Sequence, residues 1–372
     1  MPNNNNNANY NRPQNGNPNK GGHNSGNKQN GRDSNKGNRG SSQVHNINRY
    51  SLSGNLGLIF TRRYYHDLTK ELVDDCDRLN IKQKEQQNLQ NDYYQGRNDN
   101  IIAQAKHFVK PKDKYKLGNK SFELTTIYPG LLTGTGILHG TGHTGEAKLG
   151  LMFDHTTGLP YLPGSSVKGL LRSLFPLRDI ETADKWKKEG LAQKEKALSK
   201  NDNVLKKKAE ELINNANALL KQADEKRNYI VSIMGKDGFT KEMVDDLERS
   251  IFDGVEIDEE GKSTCISIND IFFDAFPEKA GKYGLLSLDY ITPHNNGEFK
   301  DPTPLQFMRI SPEVTFQFQF QLHNSKKNGK EICSIKEKED LFKEILTTVG
   351  IGAKTNVGYG QLVENQNRCD GR

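Results

Sequence analysis

The chain has 372 residues, room for one large domain or two modest ones, and its apolar share of 33% is low for a chain folded throughout. Its net charge of +6 points to an acidic partner, yet residues 1–50 carry all of it: seven Lys/Arg (Arg12, Lys20, Lys28, Arg32, Lys36, Arg39, Arg49) against the single acid Asp33. No run approaches the roughly 18 apolar residues of a membrane span, and Cys76, Cys265, Cys333 and Cys369 lie far apart without CxxC spacing, which speaks against a disulfide framework or structural zinc.

No charged-then-apolar leader opens the chain, so the expectation is a cytoplasmic protein without membrane contact, metal or cofactor. Residues 1–50 are Asn-, Gly- and Ser-rich with almost nothing to bury, which predicts a disordered tail ahead of a folded domain over 51–372. Such a tail serves either as a solubilising extension or as a basic arm for nucleic-acid phosphates. Residues 55–65 read as a short strand. Residues 66–92 read as an amphipathic helix, with Leu68, Leu72, Val73, Cys76 and Leu79 at helical spacing. Lys120–Leu132 alternates and is rich in β-formers, so it is a strand. It runs into the Gly-rich stretch 134–150, a long loop or flexible hairpin. A hairpin around Thr156–Gly158 follows, then a helix after Pro163 and Gly164 with Ser165 or Ser166 as its N-cap.

Residues 184–228 are strong helix formers. Leucines recur at 191, 198, 205, 212 and 219, with Ala209, Ala216 and Ala223 four residues after the later ones. This coiled-coil-like stripe fits another helix of the chain or a partner protein. A helical run, Lys241–Phe252, leads into β runs at 263–273, 285–291 and 314–322. The last shows one apolar face of Val314, Phe316, Phe318, Phe320 and Leu322. A helix over Glu337–Val349 buries Leu341, Phe342, Ile345 and Leu346, and a short strand at Gln361–Val363 ends the pattern. Without the helical insertion at about 184–252, the order is βαββαβ, an α+β chain with a ferredoxin-like (RRM-like) core. Its first strand falls near 121–128 and its first helix near 165–175. Its middle strands fall within 266–291 and at 314–322, its second helix at 337–349 and its last strand near 358–364.

Two segments carry candidate chemistry. Gly350–Gly360 (GIGAKTNVGYG) holds four glycines that let the backbone turn through positive φ and approach a ligand. Its N–H groups can form an anion-binding nest. Lys354 adds charge, Thr355 and Asn356 add donors, and Tyr359 offers a ring for base stacking. A mononucleotide P-loop is not expected, because no GK[ST] follows the glycines; a plain flexible connector is the blander reading. The second segment, Leu159–Arg172, places the hydroxyls of Ser165 and Ser166 at a helix N-terminus, with Lys168 and Arg172 four residues apart on one face. Helix N-termini attract phosphates, so both segments point to backbone contacts that position a nucleic acid without reading its sequence. His139, His143 and His155, with Asp154 beside the last, raise a metal site or an acid–base pair. Their spacing matches no zinc motif, and surface loop histidines are the plainer reading. His294 ends a predicted strand.

Taken together, GLPYLPGSSVKGLLR and GIGAKTNVGYG resemble the paired signatures of the RAMP superfamily of CRISPR proteins. The stretch Leu288–His294 (LDYITPH), followed by Asp301-Pro302-Thr303-Pro304 and a further strand, narrows the resemblance to the sixth-subunit family of type III-B Cmr effectors. It covers roughly residues 120–364 outside the helical insertion; the Asn-rich tail and the leucine heptads depart from the pattern. The resemblance implies a non-catalytic RNA-binding subunit of a ribonucleoprotein in antiviral defence. Its partners would be the CRISPR RNA, complementary target RNA and other Cmr-type subunits. It would hold the 3′ part of the guide and help position target RNA for cleavage by neighbouring subunits. Carried onto this sequence, the guide-backbone contacts are Ser165, Ser166, Lys168, Arg172, Gly352, Lys354, Gly358 and Tyr359, and the loop over 133–158 lies where related subunits extend a thumb. A metal-independent CRISPR RNA-processing endoribonuclease of the same superfamily is the rival reading, with one of the loop histidines as its base. A protein–protein adaptor built on the heptads is the third.

Overall fold

The computed structural model describes residues 53–66, 83–106, 116–134, 136–137, 139–140, 145–258, 263–265, 270–292 and 304–364. The expected tail, the helix positions Leu68 to Leu79, His143 and His294 lie outside the described residues.

The strand expected at 55–65 is instead a helix, α1 (Leu56–Thr61). Asn55 caps it, its side chain accepting from the Leu58 N–H at 2.9 Å. Leu56, Ile59 and Phe60, spaced for a helix, share its buried face. Helix α2 (Gln83–Lys106) extends past the predicted end of the early helix and buries Tyr94, Ile101 and Ala105.

Strand β1 (Lys120–Thr126) precedes a two-stranded hairpin of β2 (Gly136–Ile137) and β3 (Leu149–Gly150), then α3 (Gly164–Ser173). Two long helices follow, α4 (Leu177–Lys200) and α5 (Asn203–Met234), then α6 (Lys241–Glu248) with a π-helical turn over Arg249–Asp253. Next come β4 (Val255–Ile257), β5 (Ser263–Cys265), β6 (Ile271–Phe272), β7 (Phe276–Lys279), β8 (Leu286–Ile291), β9 (Leu305–Ile310), β10 (Thr315–Gln321), β11 (Ser325–Lys327) and β12 (Lys330–Cys333). Helix α7 (Ile335–Val349) and β13 (Leu362–Glu364) close the described chain.

The main sheet is antiparallel and ordered β13-β1-β10, with β6 and β7 both on the far side of β10. Phe122 faces Phe318 across β1 and β10, and Thr125 faces Thr315. Strand β10 was legible from its alternation: Val314, Phe316, Phe318, Phe320 and Leu322 are each at most 1% exposed. Phe272 and Phe320 close on Phe342 of α7 at ring distances of 5.6 and 5.5 Å, so that helix packs on the aromatic face. Each buried phenylalanine contributes about 2 kcal/mol of hydrophobic stabilisation. Residues 285–291, expected among the middle strands, leave this sheet. They pair as β8 with β9, the strand that directly follows Pro304, in register Leu286↔Ile310 to Ile291↔Leu305.

The run expected over 184–228 is two helices, α4 and α5, ahead of α6. Asn201 turns left-handed at φ 51°, and Asp202 caps α5 by accepting from Val204 and Leu205 at 3.0 Å. The heptad leucines are not its seam: Leu191 and Leu198 are 54% and 68% exposed, whereas Ala197, Ala209, Ala216 and Ala223 are buried. Gly190 lets the helices approach closely, since a Cβ there would lie 2.8 Å from Ile213 Cγ1. Small residues set a short interaxial distance and push the leucines to its margin. The insertion therefore pairs with itself.

Candidate functional site

The glycine loop leaves α7 and folds back on the turn after β1. Ile351 N–H donates to Gly360 O at 2.9 Å, Ala353 N–H to Leu132 O at 2.9 Å, and Gly360 N–H to Gly130 O at 2.7 Å. Two glycines are sterically required. A Cβ on Gly352 (φ +101°) would overlap the Leu132 carbonyl, and one on Gly360 (φ +76°) the Ile351 carbonyl. The outer part of the loop is open: Gly352, Ala353, Asn356 and Val357 are exposed, and Gly358 turns at φ +95°. Lys354 occupies the left-handed region at φ 60°, which costs a non-glycine residue about 1 kcal/mol. Its ammonium meets no acid and no hydrogen-bond acceptor among the described residues.

Tyr359 departs from the expectation of a free stacking ring. It is 7% exposed, packs edge-on against Phe307 at 5.9 Å, and its hydroxyl donates to Asp289 Oδ2 at 2.6 Å. Burial, then the Asp289 carboxylate, raises its phenol above the ordinary range. Asp289 Oδ2 also lies 3.2 Å from Arg309 Nη1. Asp289 belongs to the LDYITPH stretch of β8, so that signature and the glycine loop meet through one carboxylate. Neither Asp289 nor Arg309 was singled out from sequence, because the contact spans 70 residues.

The start of α3 is anchored elsewhere, on the segment after β6. Pro163 occupies the N-cap position without a side-chain cap, so the expected capping by Ser165 or Ser166 is corrected: both lie inside the first turn with exposed side chains. The cap comes from across the fold, Gly164 N–H donating to Asp274 Oδ1 at 2.7 Å. The two cations are engaged internally. Lys168 Nζ donates to Phe252 O at 2.9 Å, and Arg172 grips both carboxylate oxygens of Asp253 at 2.8 and 2.9 Å.

Behind Arg172, at 3.6 Å, lies the fully buried Glu248, which accepts from Leu177 N–H at 2.8 Å. Burial pushes its carboxyl up to about 7, with Arg172 acting in the opposite direction. A folded-state value above the unfolded one means the fold binds the extra proton. Stability therefore falls as pH rises from about 4.5 to 7 and stays lower above that. Glu248→Gln keeps the oxygen that Leu177 needs and removes the titration. The expected result is that denaturation midpoints of the variant flatten between pH 5 and 8, where the parent loses roughly 3 kcal/mol; equal slopes for the two proteins would contradict it.

Among the described residues, His139 and His155 form no metal-binding group. His139, expected on a surface loop, is 3% exposed. It stacks on Tyr64 at 4.0 Å, and both ring nitrogens lie 2.8 Å from carbonyl oxygens, of Ala147 and Phe60. Burial lowers its pKa. Tyr64 and Tyr65 complete the cluster, the Tyr65 hydroxyl donating to buried Glu146. This packing ties α1 to the Gly-rich stretch. His155 is exposed and its carbonyl accepts from Asn55, while Asp154 Oδ2 accepts from the Thr157 N–H and hydroxyl. No metal-binding group of three or more His, Cys, Asp or Glu occurs among the described residues, and no described helix is long and apolar enough to cross a membrane.

Comparison with known proteins adds a family. The model of the RAMP superfamily matches residues 123–363. The CRISPR system Cmr subunit Cmr6 of Pyrococcus furiosus is 26% identical over 285 residues, 68% of this chain and 75% of that protein. Among solved structures, a chain of the type III-B Cmr-beta bound to cognate target RNA is 20% identical, covering 86% of this chain and 94% of that one with a TM-score of 0.47. The crystal structure of Cmr6 from Pyrococcus furiosus is 21% identical, covering 66% and 97% with a TM-score of 0.31.

Proposed function

This chain belongs to the RAMP superfamily, and on that premise we propose that it is a non-catalytic, RNA-binding subunit of a type III-B CRISPR (Cmr) ribonucleoprotein. In this reading it grips the backbone of the CRISPR RNA toward its 3′ part. It helps position complementary target RNA for cleavage by neighbouring subunits. Similarity to a Cmr6 subunit over most of both chains supports the assignment to an effector complex. The observation that carries RNA contact is the loop: a Lys354 in the left-handed region, without an acidic partner among the described residues, on a partly exposed loop between Gly352 and Gly358. Such a loop offers one charge and several N–H groups to phosphates, and phosphates fix register without reading bases.

We read the core as ferredoxin-like. The reading is supported by the strand order β13-β1-β10-β6/β7, fourth, first, third and second in the βαββαβ count, with α3 and α7 as its helices. Ser165 and Ser166, exposed at the start of α3, are a second backbone contact. Lys168, Arg172 and Tyr359 enter as positioning groups, since each is engaged within the fold. The processing-endoribonuclease reading requires a histidine at the RNA. His139 is buried with its ring nitrogens facing the backbone carbonyls of Ala147 and Phe60, which leaves that reading without support from this residue.

Lys354→Glu is expected to weaken binding of unrelated single-stranded RNAs about tenfold and lower the salt slope by about one charge, with an unchanged melting temperature. Fluorescence anisotropy at several salt concentrations measures both. Lys168→Glu is the poorer probe, because it also removes the contact with Phe252. Binding indistinguishable from the parent for Lys354→Glu would refute the phosphate assignment. Site-specific cleavage of repeat RNA in EDTA would move the protein to the enzyme class.

A further inference from the structure

We propose that Tyr128 is a stacking platform for an unpaired RNA base beside the glycine loop. This deepens the RNA-binding reading and rests on it. At 80%, Tyr128 is the most exposed large apolar side chain among the described residues. A ring that gains nothing from the core and sits next to a phosphate-type loop has the properties of a base platform.

Its position is rigid although its ring is open. Ile127 N–H donates to Gln361 O at 3.2 Å, and Gly130 N–H closes the turn on Ile127 O at 2.7 Å. The neighbouring Pro129 lies against the loop, its Cδ 3.5 Å from where a Cβ on Gly358 would stand. The Arg309 guanidinium lies 5.9 Å from the Tyr128 ring centroid, within cation–π range. Arg309 is in turn held by Asp289, and Asp289 by the Tyr359 hydroxyl. Tyr359, Asp289, Arg309 and Tyr128 thus form a chain of contacts that links the exposed ring to the loop. The stacking role read from sequence onto Tyr359 falls to the residue at the other end of it.

The surface beyond the ring fits a base better than a phosphate. Tyr128 lines an open groove of about 840 Å³ with Tyr283, Thr125, Val363, Glu313 and Glu364. Glu313 pairs with Lys282 at 3.4 Å and Glu364 with Lys343 at 3.3 Å. Each carboxylate is neutralised, so no net positive charge is left for an anion, whereas a flat, neutral base gains contact with the ring. Any of the four bases serves, because each has a π-face.

The test uses the full chain, a labelled single-stranded RNA and the same RNA carrying 2-aminopurine. Tyr128→Ala and Tyr128→Leu are expected to weaken binding by about five- to a hundredfold, while Tyr128→Phe stays within about twofold of the parent. The salt slope stays unchanged in all three, since no phosphate contact is lost. Quenching of 2-aminopurine on binding is expected for the parent and Tyr128→Phe and lost in Tyr128→Ala. If Lys354→Glu weakens binding but Tyr128→Ala and Tyr128→Leu bind as the parent does, the platform is refuted while the RNA-binding reading stands. A parent protein that binds no RNA overturns both.

Discussion

Lys338→Met will destabilise the protein by about 3–5 kcal/mol. Lys338 lies on α7 with its side chain 2% exposed, and its ammonium is 2.5 Å from Asp270 Oδ2, itself 1% exposed. The other Asp270 oxygen accepts the His323 N–H at 2.8 Å. A carboxylate in such a place is tolerable only while its counter-charge is present. Removing the lysine leaves it desolvated and uncompensated, which is the expensive half of a buried pair. Urea denaturation at pH 7 measures the loss. The double variant Lys338→Met with Asp270→Leu tests the cause. If the penalty is the orphaned charge, the double variant regains most of the stability, and the cycle gives a large coupling energy. A single variant within 1 kcal/mol of the parent would mean that the carboxylate is compensated by other groups.

Gly360→Ala is expected to cost about 3 kcal/mol and to abolish the RNA contact together with it. The residue sits at φ +76°, where an L side chain pays about 1 kcal/mol, and its Cβ would overlap the Ile351 carbonyl. Relief requires the loop to open. That breaks the Ile351–Gly360 and Gly360–Gly130 hydrogen bonds, each worth about 1 kcal/mol. Because these bonds join the loop to the turn that carries Tyr128, the variant should lose both the phosphate contact and the stacking contact. Lys354→Glu loses only the first. A Gly360→Ala protein with parental stability and parental RNA affinity would show that the loop tolerates repacking. It would also remove the argument that its glycines fix a binding geometry.

Much of the fold was legible because its signals are local. The alternation of β10, the spacing of Leu341, Phe342, Ile345 and Leu346 on α7, and the glycine punctuation at 350–360 each describe a periodic or steric need within a short window. The capping box of α7, in which Ser334 and Glu337 exchange hydrogen bonds, is the same kind of signal. Errors arose where one window admits two structures. Leu56–Thr61 is rich in β-formers, yet its buried positions fall at helical spacing. The choice was made by packing against Phe153 and His139, 79 or more residues away. The heptad leucines were a true helical signal with a misread face, because the close approach at Gly190 gave the seam to alanines.

The candidate site divides in the same way. The residue types of the loop, its four glycines and its lysine, are a property of one continuous stretch, and sequence alone was enough to place a glycine-rich loop with one lysine after a helix. Which side chains face the solvent was decided by contacts that no window contains. Asp274 took the helix cap from Ser165 and Ser166, Asp253 and the Phe252 carbonyl took Arg172 and Lys168, and Asp289 took the Tyr359 hydroxyl. A polar group that becomes buried must find a partner, and that partner is chosen by three-dimensional proximity. Sequence therefore settled what the loop is made of, and the tertiary structure settled that Lys354 meets no acid among the described residues and that Tyr128, instead of Tyr359, is the exposed ring.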